Sequence, residues 1–305
     1  MKSFLFFAAS KLPYDALALG KFDGMHIAHL RLLDLVGDNG LALSIAQVRP
    51  PFITPPLDRQ IYTGVPMYRL RFDSIRSLSA IDFLRLLFHV LPHLRRIVVG
   101  YDFCFGRNRA SSATDLESLL KKLGRPSVEA CILESQKHNS LPIHTSIIKE
   151  LIKYGDLAQA GEMLGRFYAL RGRVIAGQGL GRRALYPTIN LKTSLYLIPK
   201  YGVYASFCQL DSRIYPAVVF IGNRLSTDKL FCIECHLLDW LETPLRPSQK
   251  VAIHLVDRLR NNKTFDSLSE LKAQIGNDID QAKAILLSRD MQAKSREFLV
   301  PLPLD

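Results

Sequence analysis

Between residues 16 and 133 short apolar runs alternate with amphipathic stretches of helical period. Beyond about residue 172 the helical stretches stop and the short runs continue. This change of rhythm constrains the fold more than any other feature, because it separates a strand–helix–strand region from an all-strand region. ALALG (16–20) and LALSIAQV (41–48) are short apolar runs, RIVVG (96–100) is a run that suits a buried parallel strand, and VEACIL (128–133) supplies another strand. Helical patterns lie between them. LRLLDLV ends at Gly37, and SAIDFLRLLFHVL (79–91) opens with Ser79 as N-cap and Asp82 three positions on. TDLESLLKKLG (114–124) carries Thr114 as N-cap, Glu117 closing a capping box and Gly124 as C-cap. The pattern predicts an α/β fold with a parallel sheet covered by helices.

SIIKELIKYG and DLAQAGEMLGRFYAL read as two further helices running up to Gly172. The later runs RVIAG, YGVYASFCQL, PAVVFIG, LFCIECHLLDW and KVAIHLVD are separated by turn signals and predict an antiparallel barrel or sandwich. A closing helix is marked by the Ser267/Glu270 capping box. Leu268, Leu271, Ile275, Ile279, Ala282 and Leu286 follow it at spacings of three and four. A chain of 305 residues exceeds the usual single domain. The expected division is 1–158 and 159–305.

The formal net charge of +12 favours anionic partners without ranking nucleotides, phosphorylated metabolites, nucleic acid or anionic membrane. No stretch reaches the roughly 18 apolar residues of a spanning helix. The start, MKSFLFFAAS, mimics a signal peptide but leads into polar Lys11 and Asp15, so a first strand or a flanking segment is expected there. Five cysteines, odd in number and sparse, argue against a disulfide framework and for a reducing, cytoplasmic setting.

Residues 20–29 read GKFDGMHIAH. A strand ending at Gly20, a turn through Gly24 and a helix from about His26 would aim free N–H groups and the positive dipole end outward, which makes an anion site. His26 and His29, three apart, share one face. A metal, a phosphate and no ligand are the candidate readings. Zinc would want a third ligand, and neither an HExxH motif nor an acidic partner with suitable spacing stands nearby.

GLGRRALYPTINL (179–191) is the second informative stretch. Gly179, Gly181 and Arg182 suggest a phosphate-facing loop, although an ordinary hairpin connection has the same composition. Thr188 and Asn190 sit two apart, so an extended backbone projects both to one face, where their oxygens can share a nucleotide's Mg²⁺. Residues 232–236, CIECH, match the CxxCH of c-type haem attachment in form only. In a strand Cys232, Glu234 and His236 share one face while Cys235 points away, whereas haem attachment needs both sulfurs on one side.

GKFDGMHIAH resembles the GxFDGxHxGH signature of the HxGH nucleotidyltransferases, and more specifically the adenylyltransferase half of bacterial bifunctional riboflavin kinase/FAD synthetases. VGYDFCFGRNR (99–109) resembles the family's VGxDFRFGxxR, and HTSIIKELIKYGDL (144–157) stands at its phosphate-binding SSTxIRxxLxxGD stretch. Ala28, Cys104, Ile147 and Lys149 depart from the family pattern, and VRPP replaces its EPHP-like stretch. GRRALYPTINL resembles the riboflavin kinase signature GRxLGFPTANL, IECHLLDW resembles VEVHLLDF, GVYA (202–205) matches directly and LRNNKTF (259–265) stands at a flavin-contacting loop.

The resemblance implies a Rossmann-like N-terminal domain and a kinase barrel, with ATP, riboflavin and FMN as substrates and Mg²⁺ accompanying ATP. His26 and His29 would stabilise charge on a transferring phosphate, and Glu234 would take the ribityl 5′-OH proton. Gly20, Phe22, Asp23, Gly24, Ser146, Lys149, Gly181 and Arg182 are implied nucleotide contacts. Thr188 and Asn190 would hold metal and phosphates, and Asp102, Arg109, Tyr204 and Arg260 would line the flavin. The nearer rival reading keeps the kinase and weakens or loses adenylylation. A more distant one is a basic nucleic-acid-binding protein on an inactive nucleotidyltransferase scaffold, against which stands the lack of long Lys/Arg runs and of an aromatic platform.

Overall fold

The computed structural model describes residues 2–4, 11–46, 49–176, 186–225, 229–238, 240 and 248–303. They form two compact units, Met1–Thr145 and Ser146–Asp305. The division falls ahead of 158/159 because the helices after residue 145 pack with the later strands. Lys200 N donates to Ile152 O at 3.3 Å, and Leu157 and Gly161 lie against Phe167 and Val256.

In the first unit β1 (Lys2–Ser3), β2 (Ala16–Gly20), β3 (Gly40–Ala46), β4 (Met67–Arg71), β5 (Arg96–Gly100) and β6 (Glu129–Leu133) make one sheet ordered β1-β4-β3-β2-β5-β6. Every neighbouring pair is parallel. Apart from the short edge strand β1, this is the doubly wound order, and the connections reverse direction between β2 and β5. Ligands of such sheets bind beyond the carboxyl ends at that reversal, which is where GKFDG follows β2.

The alternation within the strands assigns the helices. Leu17, Leu19, Leu41, Leu43, Ile97 and Val99 face one way, onto Phe83, Leu84 and Leu87 of α2 (Ala80–Val90) and onto Leu116 and Leu120 of α3 (Leu116–Lys122). Ala16, Ala18, Ala42 and Val98 face the other way, where small side chains let α1 (Ile27–Asp34) seat Leu32 and Leu33 closely. Helix α2 is capped as expected, with Ser79 Oγ accepting from Asp82 N. The capping box expected at Thr114/Glu117 is instead Ser112/Asp115, because a 3₁₀ turn precedes α3.

In the second unit α4 (Thr145–Tyr154, which begins at the last residue of the first unit) and α5 (Leu157–Leu164) precede a closed antiparallel barrel. The expected helix to Gly172 ends early. Gly165 adopts φ 69°, and Tyr168–Ile175 becomes the first barrel strand, β7. With β8 (Ile189–Lys192), β9 (Gly202–Leu210), β10 (Arg213–Asn223), β11 (Phe231–Leu237) and β12 (Lys250–Asn261) the order is β7-β8-β11-β10-β9-β12. Helix α6 (Leu268–Leu286), capped by Ser267, lays Ile279, Ala282 and Leu286 on Val203, Ala205 and Val218, and a further helix, α7 (Arg289–Phe298), follows. No helix among the described residues is long and apolar enough to cross a membrane.

Candidate active sites

The first site is built where β2 ends. Phe22 (φ 53°), Gly24 (φ 90°) and Met25 (φ 42°) turn the chain sharply, a conformation that glycine adopts without steric cost at position 24. His26 then caps α1, its Nδ1 accepting the His29 N–H at 3.3 Å. That bond places the proton of the neutral ring on Nε2, 3.4 Å from Thr145 Oγ1, whose own proton goes to Asp23 O at 3.1 Å. The two imidazoles stack with centroids 3.6 Å apart and planes 15° apart, and Phe22 meets His29 edge-on. Gly20 belongs to the same turn, and a Cβ there would press within 3.2 Å of the Phe22 ring. Gly20, Phe22, Asp23, Gly24, His26 and His29 are thus gathered in one place.

Arg59, absent from the sequence-based set, holds this turn from behind. It is 1% exposed and donates from Nε to Thr54 O (3.1 Å), and from Nη1 to Lys21 O (2.8 Å) and Ser44 Oγ (2.9 Å). Asp23 Oδ1 lies 4.0 Å from its Nη2 and accepts from Thr54 N at 3.1 Å. Burial pushes Arg59 down to about 10, and Asp23 partly opposes the shift. It stays protonated at neutral pH. The sequence signal for it was weak, because it lies in the stretch that departs from the family's EPHP segment.

Asp102 and Arg109 fall in a second polar group of this unit. His144 Nε2 sits 3.2 Å from Asp102 Oδ2, and Arg109 Nη2 donates to Cys104 Sγ at 3.5 Å. Ser146 and Lys149, one turn apart on α4, belong to the second compact unit.

The barrel site is set by strand register. Asn190 of β8 pairs directly with Glu234 of β11, so residues 44 positions apart in sequence face each other. Arg224 joins them, with Nε donating to Glu234 Oε1 at 2.6 Å and Nη2 to Asn190 Oδ1 at 3.1 Å. Thr188 is exposed just before β8. His236 Nδ1 lies 2.8 Å from Pro187 O, and Tyr186 packs on the His236 ring. Gly181 and Arg182 lie outside the described residues.

Two residues expected at the flavin, Tyr204 and Arg260, also make internal contacts. Tyr204 is fully buried, its hydroxyl donates to Lys200 O, and burial pushes it up to about 12. Arg260 grips Asp278 of α6 with a two-pronged fork, Nε and Nη2 each at 2.8 Å, while Gln274 Nε2 donates to the same carboxylate at 3.1 Å. The haem-like CIECH places Cys235 inside the barrel, hydrogen-bonded to Cys208, with Cys232 on the opposite side of the strand bonding Gly222 O. That hydrogen bond and burial together hold the Cys235 thiol well above its ordinary range. All five cysteines are free thiols.

Close to Glu234 in the register stands the Asn190 amide oxygen, with the exposed Thr188 two positions earlier in the chain. These are neutral oxygen ligands that suit a hard cation arriving with phosphates. Among the described residues no three His, Cys, Asp or Glu side chains cluster as a cage.

A riboflavin kinase family model (Flavokinase) matches residues 164–286, which take in the barrel and α6. The chain is 28% identical to the bifunctional riboflavin kinase/FMN adenylyltransferase of Haemophilus influenzae, over 90% of this chain and 94% of that one. It is 30% identical to the protein of the same name from Buchnera aphidicola subsp. Acyrthosiphon pisum, over 87% and 91%. A solved Streptococcus pneumoniae structure, described as a macrolide-efflux protein, shares the fold with a TM-score of 0.80 at 24% identity, covering 93% of this chain and 97% of that one. With a doubly wound sheet carrying paired imidazoles at its reversal point, a barrel joining Asn190 to Glu234, and this likeness along most of its length, the chain belongs to the bifunctional riboflavin kinase/FMN adenylyltransferase family.

Proposed function

We infer that this protein phosphorylates riboflavin to FMN and then adenylylates FMN to FAD, using one ATP in each step. The observation that carries the reading is the pairing of Asn190 with Glu234 in the barrel, together with a separate imidazole pair in the other unit. In the kinase step the ribityl 5′-oxygen attacks the γ-phosphorus of ATP, the bond from that phosphorus to the bridging oxygen breaks, and ADP leaves. The hydroxyl proton passes to Glu234, whose half-buried carboxylate suits a general base. Thr188 and Asn190 would hold Mg²⁺, which when bound spreads the charge of the phosphates. Tyr204 and Arg260 shape the wall of the barrel, and Arg260 fastens α6 through Asp278.

In the second step an FMN phosphate oxygen attacks the α-phosphorus of ATP and pyrophosphate leaves. This needs charge stabilisation more than proton transfer. The Nε2–H of His26 and the stacked His29 ring supply donors where that charge collects. The turn of Gly20, Phe22, Asp23 and Gly24 places them. Asp102 and Arg109 are the proposed polar contacts of the flavin in this step.

Two single substitutions separate the steps. Glu234→Gln should cut FMN formation from riboflavin by about 100-fold or more and leave FAD formation from supplied FMN intact. His26→Ala should do the reverse, lowering adenylylation by about 100-fold. A Glu234→Gln protein that makes FMN at the unsubstituted rate removes Glu234 from the mechanism. If the unsubstituted protein makes FMN and no FAD, the adenylyl half of the reading fails.

A further inference from the structure

Strand register brings Asn190 and Glu234 opposite each other, but it does not fix which edge of the amide faces the carboxylate or how the carboxylate is turned. A primary amide has an oxygen on one edge and an NH₂ on the other, and only a neighbouring donor or acceptor chooses between them. Arg224 makes both choices. Its Nη2 lies 3.1 Å from Asn190 Oδ1, which selects the oxygen edge, and its Nε holds Glu234 Oε1 at 2.6 Å. The ion pair is only 19% and 25% exposed, so it is less screened than a surface pair.

The guanidinium is itself anchored through its backbone. Arg224 directly follows Asn223, the last residue of β10, which pairs with Phe231. Arg224 N donates to Leu230 O at 3.0 Å, Lys229 N donates to Arg224 O at 3.1 Å, and Asn262 Nδ2 ties down Asn223 O at 2.8 Å. A long side chain held this way at its root, with two acceptors at its tip, is preorganised.

We propose that Arg224 is a positioning residue for phosphoryl transfer, fixing the orientation of the Asn190 amide oxygen and the Glu234 carboxylate that the transfer uses. This rests on the reading of Asn190 and Glu234 given above. The geometry requires a planar fork that reaches two acceptors at once, and a lysine ammonium, a point charge, does not reproduce it.

The test compares R224K, R224Q, E234Q and the R224K/E234Q double variant, with riboflavin, ATP and Mg²⁺ for the kinase and FMN, ATP and Mg²⁺ for adenylylation. R224K should lower kcat for riboflavin phosphorylation by about 10- to 100-fold, the scale of a small misplacement of reacting groups. KM for riboflavin, the adenylylation rate and the melting temperature should stay at the unsubstituted values. R224Q, which keeps hydrogen bonding and loses charge, should fall at least as far. In the E234Q background R224K should cost less than in the unsubstituted protein, because one of the two groups it orients is already gone and only Asn190 is left to misplace. Unsubstituted kcat in R224K overturns the proposal. So does a parallel loss of both activities with a lowered melting temperature, and so does full additivity with E234Q. A protein that fails to phosphorylate riboflavin before any substitution sinks the functional reading itself, and the inference falls with it.

Discussion

Replacing Arg59 with Met removes three hydrogen bonds and leaves Asp23, 7% exposed, beside an apolar side chain. Breaking a buried charged contact from one side costs about 3 kcal/mol or more, so R59M should lower the urea midpoint by that equivalent. Adenylylation should fall further than riboflavin phosphorylation, since Arg59 fastens Lys21 O in the imidazole turn. Equal losses of both activities would mean that Arg59 serves the fold without serving that turn. Tyr204 gives a sharper contrast, because resemblance placed it at the flavin and the structure encloses it. Tyr204→Phe removes the bond to Lys200 O and should cost about 1 kcal/mol of stability with KM for riboflavin unchanged. A clear rise in KM would return the residue to the flavin.

Among the elements, α6 depends on one fork. Asp278 is buried against the Arg260 guanidinium and accepts from Gln274 as well. Asp278→Ala should lower stability by about 2 kcal/mol, with hydrogen exchange rising first in residues 268–286. Exchange rising equally through the barrel would show that the fork holds more than the helix.

The elements also mark what the sequence made legible. ALALG and RIVVG became β2 and β5 at the same residues, because a short run apolar through its middle has few folded alternatives to a strand buried on both faces. Phe167–Leu170 was misread as helix, since its apolar residues continue the spacing of α5, and only Gly165 in the left-handed region stops that helix. Motifs single out His26 and Glu234 as candidates from the sequence alone. The roles of Arg59 and Arg224 are not legible, because each bridges a nearer partner to a distant one, Lys21 at 38 and Asn190 at 34 positions away, which meets it only through sheet register and loop closure.

At the scale of the whole molecule, stability should depend on one buried imidazole. His254 of β12 is 1% exposed, and its Nε2 has no hydrogen-bond partner among the described residues. Burial, with a smaller contribution from the Arg166 charge, pushes it down to about 4 from an ordinary 6.5. The unfolded chain therefore binds more protons between about pH 6.5 and pH 4. Stability is complete above pH 6.5 and declines by up to about 3 kcal/mol as the pH falls to 4. Urea midpoints at pH 7 and pH 5 should differ in that sense, and His254→Leu should remove much of the difference. An unchanged slope in the variant would place the acid sensitivity elsewhere.

The central claim is that one chain carries both steps, in two separately assembled sites. A time course with riboflavin, excess ATP and Mg²⁺, followed by chromatography of the flavins, tests it most directly. FMN should rise first and then decline as FAD accumulates, with one ADP formed for each FMN made and one pyrophosphate for each FAD. Riboflavin left unchanged, or FMN that accumulates with no FAD following, would contradict it.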